Sequence, residues 1–212
     1  MSSILRRMGF YANYIVPYLV SVAMRNRELQ PFRERVTAAA QGRVLEVGIG
    51  SGLNLTSYPS QVPEIVGLEP SPRLLSMAEE ASRPDFIDVR FVEGSAESIP
   101  LEAKSIDTVV TTWTLCSIPD VRRALLEMRR VLKPGGELLF VEHGLAPEEN
   151  VRRWQNRLNP IWKRIAGGCH LNRPIKNLIE RAGFNITEVE TGYIKGPKPM
   201  TFLYRGRATA VE

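Results

Sequence analysis

The sequence predicts an α/β fold in which a mostly parallel sheet carries helices on both faces. Three observations predict it. Apolar runs of strand length alternate with stretches of helical periodicity between residues 43 and 143. The run Val44-Leu45-Glu46-Val47 passes straight into Gly48-Ile49-Gly50-Ser51-Gly52, a strand ending in a glycine-rich turn. The chain has 212 residues, 43% of them hydrophobic and 24% charged, which suits one domain with a full core.

Each element has its own signal. Residues 8–24 are fairly apolar but carry Asn13 and Pro17, with Arg25 following. The stretch is too short and interrupted to span a bilayer, which needs about 20 apolar residues, and lacks the pattern of a cleaved leader. It reads as a helix packed on the core, or as an amphipathic cap whose Tyr11, Tyr14 and Tyr18 cover a pocket or touch a membrane. A second helix is expected over 28–40, then the first strand. The second strand covers 64–69. Pro70-Ser71-Pro72 opens a helix, with Ser71 as N-cap and Pro72 in the first turn, running to about residue 81. Strands follow at 89–93 and 106–112. The 119–132 helix places Val121, Leu125, Met128 and Leu132 on one face, and Lys133-Pro134-Gly135-Gly136 stops it. A fifth strand covers 137–142. Helices over 148–166 and 173–182 precede two strands, 184–191 and 200–208, expected as an antiparallel pair.

Ligands on such sheets sit outside the carboxyl ends of the strands. The glycine turn departs from the pyrophosphate-binding G-x-G-x-x-G pattern. Leu53 occupies the third glycine's slot, and the extra glycine comes one residue early, at Gly52. Glu46 adds a carboxylate just before the turn, which would repel a pyrophosphate. The loop suits a nucleoside with a short cationic tail, which describes S-adenosylmethionine. Glu69, 21 residues beyond Gly48, ends the second strand beside Pro70, where a carboxylate accepts hydrogen bonds from ribose hydroxyls. Ser95, Ala96 and Glu97 end the third strand and face the adenine edge in this reading. Thr112, Trp113, Thr114 and Leu115 follow the fourth strand, and Glu142 and His143 end the fifth.

Together, Glu46-Val47-Gly48-x-Gly50-x-Gly52, Glu69, Gly94-Ser95-Ala96-Glu97, Asp107-Thr108-Val109-Val110 and Leu132-Lys133-Pro134-Gly135-Gly136 resemble the class I S-adenosylmethionine-dependent methyltransferases of the type-11 group. More narrowly, Leu115-Cys116-Ser117-Ile118, Val141-Glu142-His143 and Gly168-Cys169-His170-Leu171-Asn172-Arg173 resemble the methyltransferase-like thiol S-methyltransferases of animals and their bacterial relatives. The resemblance implies a Rossmann-like seven-stranded sheet in the order 3-2-1-4-5-7-6, strand 7 antiparallel. It implies a single domain, with residues 1–41 as helical cap, 42–146 as cofactor-binding half and 147–212 as helices and strands on the substrate side. It implies S-adenosylmethionine as cofactor, held by Glu46, Gly48, Gly50, Gly52, Glu69, Pro70, Ser95, Ala96, Glu97, Thr112 and Leu115. Two departures stand out. Ile49 replaces a cysteine usual in the glycine turn, which should leave cofactor binding intact. The long membrane-anchoring segment of the animal proteins is missing, so a cytoplasmic or peripherally attached protein is expected.

Methyl transfer from a sulfonium asks the protein for alignment and exclusion of water. A thiol acceptor, with a pKa of about 8.5, reacts as the thiolate, which a nearby base or cation favours. His143 is the candidate for that catalytic role, or else a histidine satisfied at the sheet edge. Tyr11, Tyr14, Trp113, His170 and Arg173 are candidates for the acceptor side, with capping and packing as the alternative for His170 and Arg173. Cys116 reads as a small buried hydrophobe. In the 148–166 helix, Val151, Trp154, Leu158, Ile161, Trp162 and Ile165 lie along one side and basic residues near the other, with Pro160 expected to bend or break it. That side is either a core-facing stripe with a solvated basic face opposite, or a lid that lines an apolar pocket and rests on an anionic membrane.

The net charge of +5 permits contact with an anionic membrane without demanding it. Two cysteines and two histidines, with only Cys169 and His170 adjacent, show no metal-ligand spacing, so no metal is expected. No nucleic-acid module is legible, and Thr112–Leu115 is unlike the Asn-Pro-Pro-Tyr clamp of base methylases. The expected activity is methyl transfer to a small apolar acceptor, first of all a thiol. The alternative is a lipid-directed enzyme acting on a phospholipid headgroup or quinone precursor. Oligomeric state is not legible.

Overall fold

The computed structural model describes residues 15–211. Tyr11 and Tyr14, expected on the acceptor side, lie outside the described residues. Seven strands form one sheet: β1 Arg43–Val47, β2 Glu64–Glu69, β3 Asp88–Glu93, β4 Ile106–Thr112, β5 Leu132–His143, β6 Phe184–Tyr193 and β7 Phe202–Ala210. Their order is β3-β2-β1-β4-β5-β7-β6. The first five run parallel, and β7 lies antiparallel to both β5 and β6. The expected topology is the observed one.

The helices are α1 Val16–Met24, α2 Gln30–Thr37, α3 Pro72–Glu79, α4 Val121–Val131, α5 Glu149–Ile165, α6 Ile175–Arg181 and the short α7 Lys198–Thr201. Ser71 caps α3 through a bond from the Leu74 N–H, and Asp120 caps α4 through the Arg123 N–H. β1, β2 and β4 are buried almost throughout, because helices cover both faces of a parallel sheet. Two apolar clusters result. One packs α4 and α6 under the sheet around Leu125, Met128 and Phe140. The other lies around Ile65, Leu75 and Leu139.

Three local expectations are corrected. β5 begins at Leu132, not 137: Ile106 pairs Leu132 and Thr108 pairs Glu137, so residues 133–136 bulge out inside the strand. Lys133 in that bulge reaches Asp107 at 2.7 Å. α5 runs unbroken through Pro160, so the proline does not end it. The apolar side of α5 is neither a core stripe nor a pocket lining: Val151 is buried, but Trp154, Ile161 and Ile165 are 55%, 64% and 54% exposed. What α5 buries instead is Gln155. Its amide donates to the Gly144 and Pro199 carbonyls at 2.9 and 3.2 Å and accepts from the Ala146 N–H at 3.0 Å.

Candidate active site

A cavity of about 1380 Å³ opens at the carboxyl ends of β1, β2 and β4, roofed by α1. Gly48, Gly50, Glu69, Pro70, Ser95, Ala96, Glu97, Thr112 and Trp113 all line it. These are nine of the sequence-predicted residues, brought together from four strand ends. Gly50, at φ 58°, is the position of close approach: a Cβ built there would meet nothing nearer than the Gly48 carbonyl at 3.9 Å. Glu69 crosses beneath the turn. Its Oε2 accepts from the Gly50 N–H at 3.1 Å and its Oε1 from the Ser71 N–H at 3.0 Å. Burial raises its pKa against those two bonds.

Other predicted residues stand back from the cavity. Gly52 packs the turn on α3, where a Cβ would meet Ala78 Cα at 3.1 Å, and Ala81 Cβ just past the helix at 2.9 Å; it takes over the helix-packing duty of the missing third glycine. Glu46 is buried behind the turn and does not line the cavity. Asn54 donates to its Oε1 at 2.7 Å and Tyr58 to its Oε2 at 2.8 Å. Burial pushes Glu46 up to about 7, with the Tyr58 and Asn54 bonds and the Arg33 charge opposing. Leu115 is fully buried and lends only its carbonyl, which accepts from Arg173. Arg173 also donates to the Ile118 carbonyl at 2.6 Å, so it fastens the loop after β4 and faces no ligand. The His170 ring and N–H both bond the Cys116 carbonyl, at 3.1 and 2.9 Å. His143 lies outside the cavity, its Nε2 3.2 Å from Cys169 Sγ. Burial would lower its pKa, but the Cys116 thiol beside it makes the net shift upward.

The cavity also contains residues that sequence reasoning missed. Arg33, on α2, donates to the Met24 carbonyl at 2.6 Å and stands 4.7 Å from the Trp113 ring centroid. Burial draws its pKa down to about 10, partly countered by Glu46, so it stays charged at neutral pH. Trp113 holds a left-handed backbone, φ 51°, rare for a bulky residue and typical of functional positions. Its N–H is fixed to the Val141 carbonyl at 2.8 Å. Asn54 lines the cavity, and its buried Oδ1 has no hydrogen-bond partner among the described residues. Ser21 on α1 donates to Ser51 in the turn at 3.1 Å, closing the roof. No spacing rule links Arg33 or Ser21 to the glycine turn. Only the fold does.

These residues fit an adenosyl sulfonium carrying an amino-acid tail. Gly50 leaves room for close approach, Glu69 presents an acceptor to a ribose, and the orphaned Asn54 Oδ1 offers an acceptor to an ammonium group. Glu46 then acts at one remove, by holding Asn54.

Comparison with known proteins agrees. Residues 45–140 match the model of a methyltransferase domain family. The human thiol S-methyltransferase TMT1B is 34% identical over 204 residues, covering 88% of this chain and 80% of that protein; the rat counterpart aligns at 38% over 62% of its length. The phosphatidylethanolamine N-methyltransferase of Cereibacter sphaeroides is 33% identical over 57% of this chain and 63% of that protein. A methyltransferase structure from Thermotoga maritima shares the fold, with TM-score 0.67 at 23% identity, covering 95% of this chain and 98% of that one. Sheet order, glycine turn and relatives lead to one conclusion: the chain belongs to the class I S-adenosylmethionine-dependent methyltransferases, and S-adenosylmethionine is its methyl donor.

Proposed function

We propose that this enzyme methylates small apolar thiols. The observation that carries the reading is Arg33: a charged guanidinium stacked on Trp113 in a cavity whose neighbouring wall is Val16, Pro17, Val20 and Met24. An apolar wall with one cation suits an acceptor that is hydrophobic in its body and anionic at its reacting atom. The cation favours the thiolate of a group whose ordinary pKa is about 8.5. The likeness to thiol S-methyltransferases supports the same acceptor. Bound S-adenosylmethionine supplies the activated methyl group. The chain's residues align the acceptor against it, exclude water under α1 and hold the thiolate, whose proton has already left to solvent. Arg33 replaces His143 as the candidate for the charged role, because His143 does not reach the cavity.

The test is a labelled-methyl assay against alkyl thiols, phenols, quinols and phosphatidylethanolamine. Thiols should be methylated and their alcohol counterparts should not. Transfer to phosphatidylethanolamine with thiols inert would overturn the reading.

One observation favours a second, lipid-directed reading at a membrane surface. Tyr18 and Leu19 on α1 are 59% and 50% exposed, and Ile161 and Ile165 are exposed on α5, among Arg157, Lys163 and Arg164. A Cβ at Gly167 would touch Val16, so the end of α5 adjoins α1. Apolar side chains interspersed with basic ones suit an anionic headgroup layer. No helix among the described residues is long and apolar enough to cross a membrane; the contact in this reading is peripheral, at the inner surface. Sedimentation with anionic vesicles at low and high salt tests this. Protein left wholly in the supernatant at low salt would dismiss it.

A further inference from the structure

Behind the cavity wall, three soft donors meet. Cys116 follows β4, His143 ends β5, and Cys169 follows α5. Their Sγ, ring nitrogen and Sγ atoms all lie within 4.8 Å of one another. We infer that Cys116, His143 and Cys169 form a zinc site with three protein ligands, set immediately behind the acceptor cavity. This departs from the expectation that the chain binds no metal. It does not depend on the identity of the acceptor.

Four features carry the inference. First, the donor set is chemically selective. Two thiols and an imidazole, with no carboxylate in the group, are the ligands of zinc, not of magnesium or calcium. Second, the alternative is costly. Both cysteines are buried, and His143 Nε2 has Cys169 Sγ as its neighbour at 3.2 Å. A half-buried imidazole nitrogen left with a weak S–H partner loses more hydration than that bond returns, whereas two thiolates around a divalent ion leave the filled site with no net charge. Third, outer contacts of the kind that orient metal ligands are already in place. The Trp162 indole N–H donates to Cys169 Sγ at 3.3 Å, and Ser117 Oγ stands 3.4 Å from Cys116 Sγ. Fourth, the fully buried Glu142, the chain neighbour of His143, keeps an Oε2 with no partner among the described residues.

The site's position gives it a consequence. Ser117 and Gly168, the chain neighbours of Cys116 and Cys169, line the cavity. An ion joining the three segments would fix that wall. Ser117 Oγ stands 3.4 Å from Cys116 Sγ, so the cluster adjoins the cavity wall through that residue.

The full chain, grown in zinc-supplemented medium and purified without chelator or metal resin, should contain about one zinc per molecule by elemental mass spectrometry. Cys116→Ser and Cys169→Ser should each lower that to under about a tenth. Because either variant could misfold, the wild-type protein provides a second readout: stripped under reducing conditions and given cobalt, it should show thiolate-to-cobalt charge-transfer absorption and tetrahedral ligand-field bands. Wild-type protein that is zinc-free and gives no such absorption would overturn the inference. So would an intact mass two hydrogens light with Cys116 and Cys169 joined, which would make them a redox pair.

Discussion

Glu69 is one carboxylate with a structural duty and a proposed ligand-binding one. Its two oxygens brace Gly50 and the start of α3 while facing the cavity. Glu69→Ala should weaken S-adenosylmethionine binding by about 1–3 kcal/mol, the scale of lost charge-assisted hydrogen bonds, measured by calorimetry. In the proposed reading, Arg33 acts on the acceptor. Arg33→Ala should move the alkaline shift of the thiol-methylation rate upward, towards the pKa of free thiol near 8.5, while Arg33→Lys should retain most of the original profile. A rate–pH curve unchanged in both would return Arg33 to a packing role. The difference in legibility between these residues is physical. Glu69 sits at a fixed distance along the chain from the turn, so spacing finds it. Arg33 reaches the site only because α2 packs across the sheet, and nothing local in the sequence records that.

Elements were legible where a local signal sets their ends. Ser71-Pro72 starts α3 as an N-cap and first-turn proline do, and the alternation of apolar runs locates β1 to β4. α5 was legible as a helix but not in its orientation. The periodicity of Trp154, Leu158, Ile161 and Ile165 suggests a buried stripe, yet the anchor is a polar residue, Gln155, satisfied by three backbone groups from the β5 and α7 connections. A pattern of apolar spacing cannot register a buried amide. Gln155→Ala would leave the Gly144 carbonyl and the Ala146 N–H unpaired in a dry place. It should cost about 1–3 kcal/mol of unfolding free energy in denaturant titration, and hydrogen exchange should quicken in α5 before it does in the central strands.

Across the whole molecule, buried acid groups set the pH response. Glu46 is raised to about 7 by burial, above the usual carboxylate value near 4.3. Between those values the folded chain holds a proton that the unfolded chain releases, so stability falls as pH rises from about 4.5 to 7, then levels off. Its share should be on the order of 3 kcal/mol, and Glu46→Gln should flatten that part of a thermal-melting series taken across the window. Topology was fully legible, because strand order follows from a resemblance spread along residues 43–142. The cluster of Cys116, His143 and Cys169 was not. Its members come from three separate segments, and metal spacing can be recognised only when ligands lie close along the chain.

The hydroxyl contact between Ser21 and Ser51, with Arg33 gripping the end of α1, makes α1 the element that a donor bound in the cavity would have to pass, a door in the proposed reading. Spent donor under such a door escapes no faster than the hinge allows. Rapid-mixing experiments should therefore show a first turnover quicker than those that follow, and Ser21→Ala should narrow the gap.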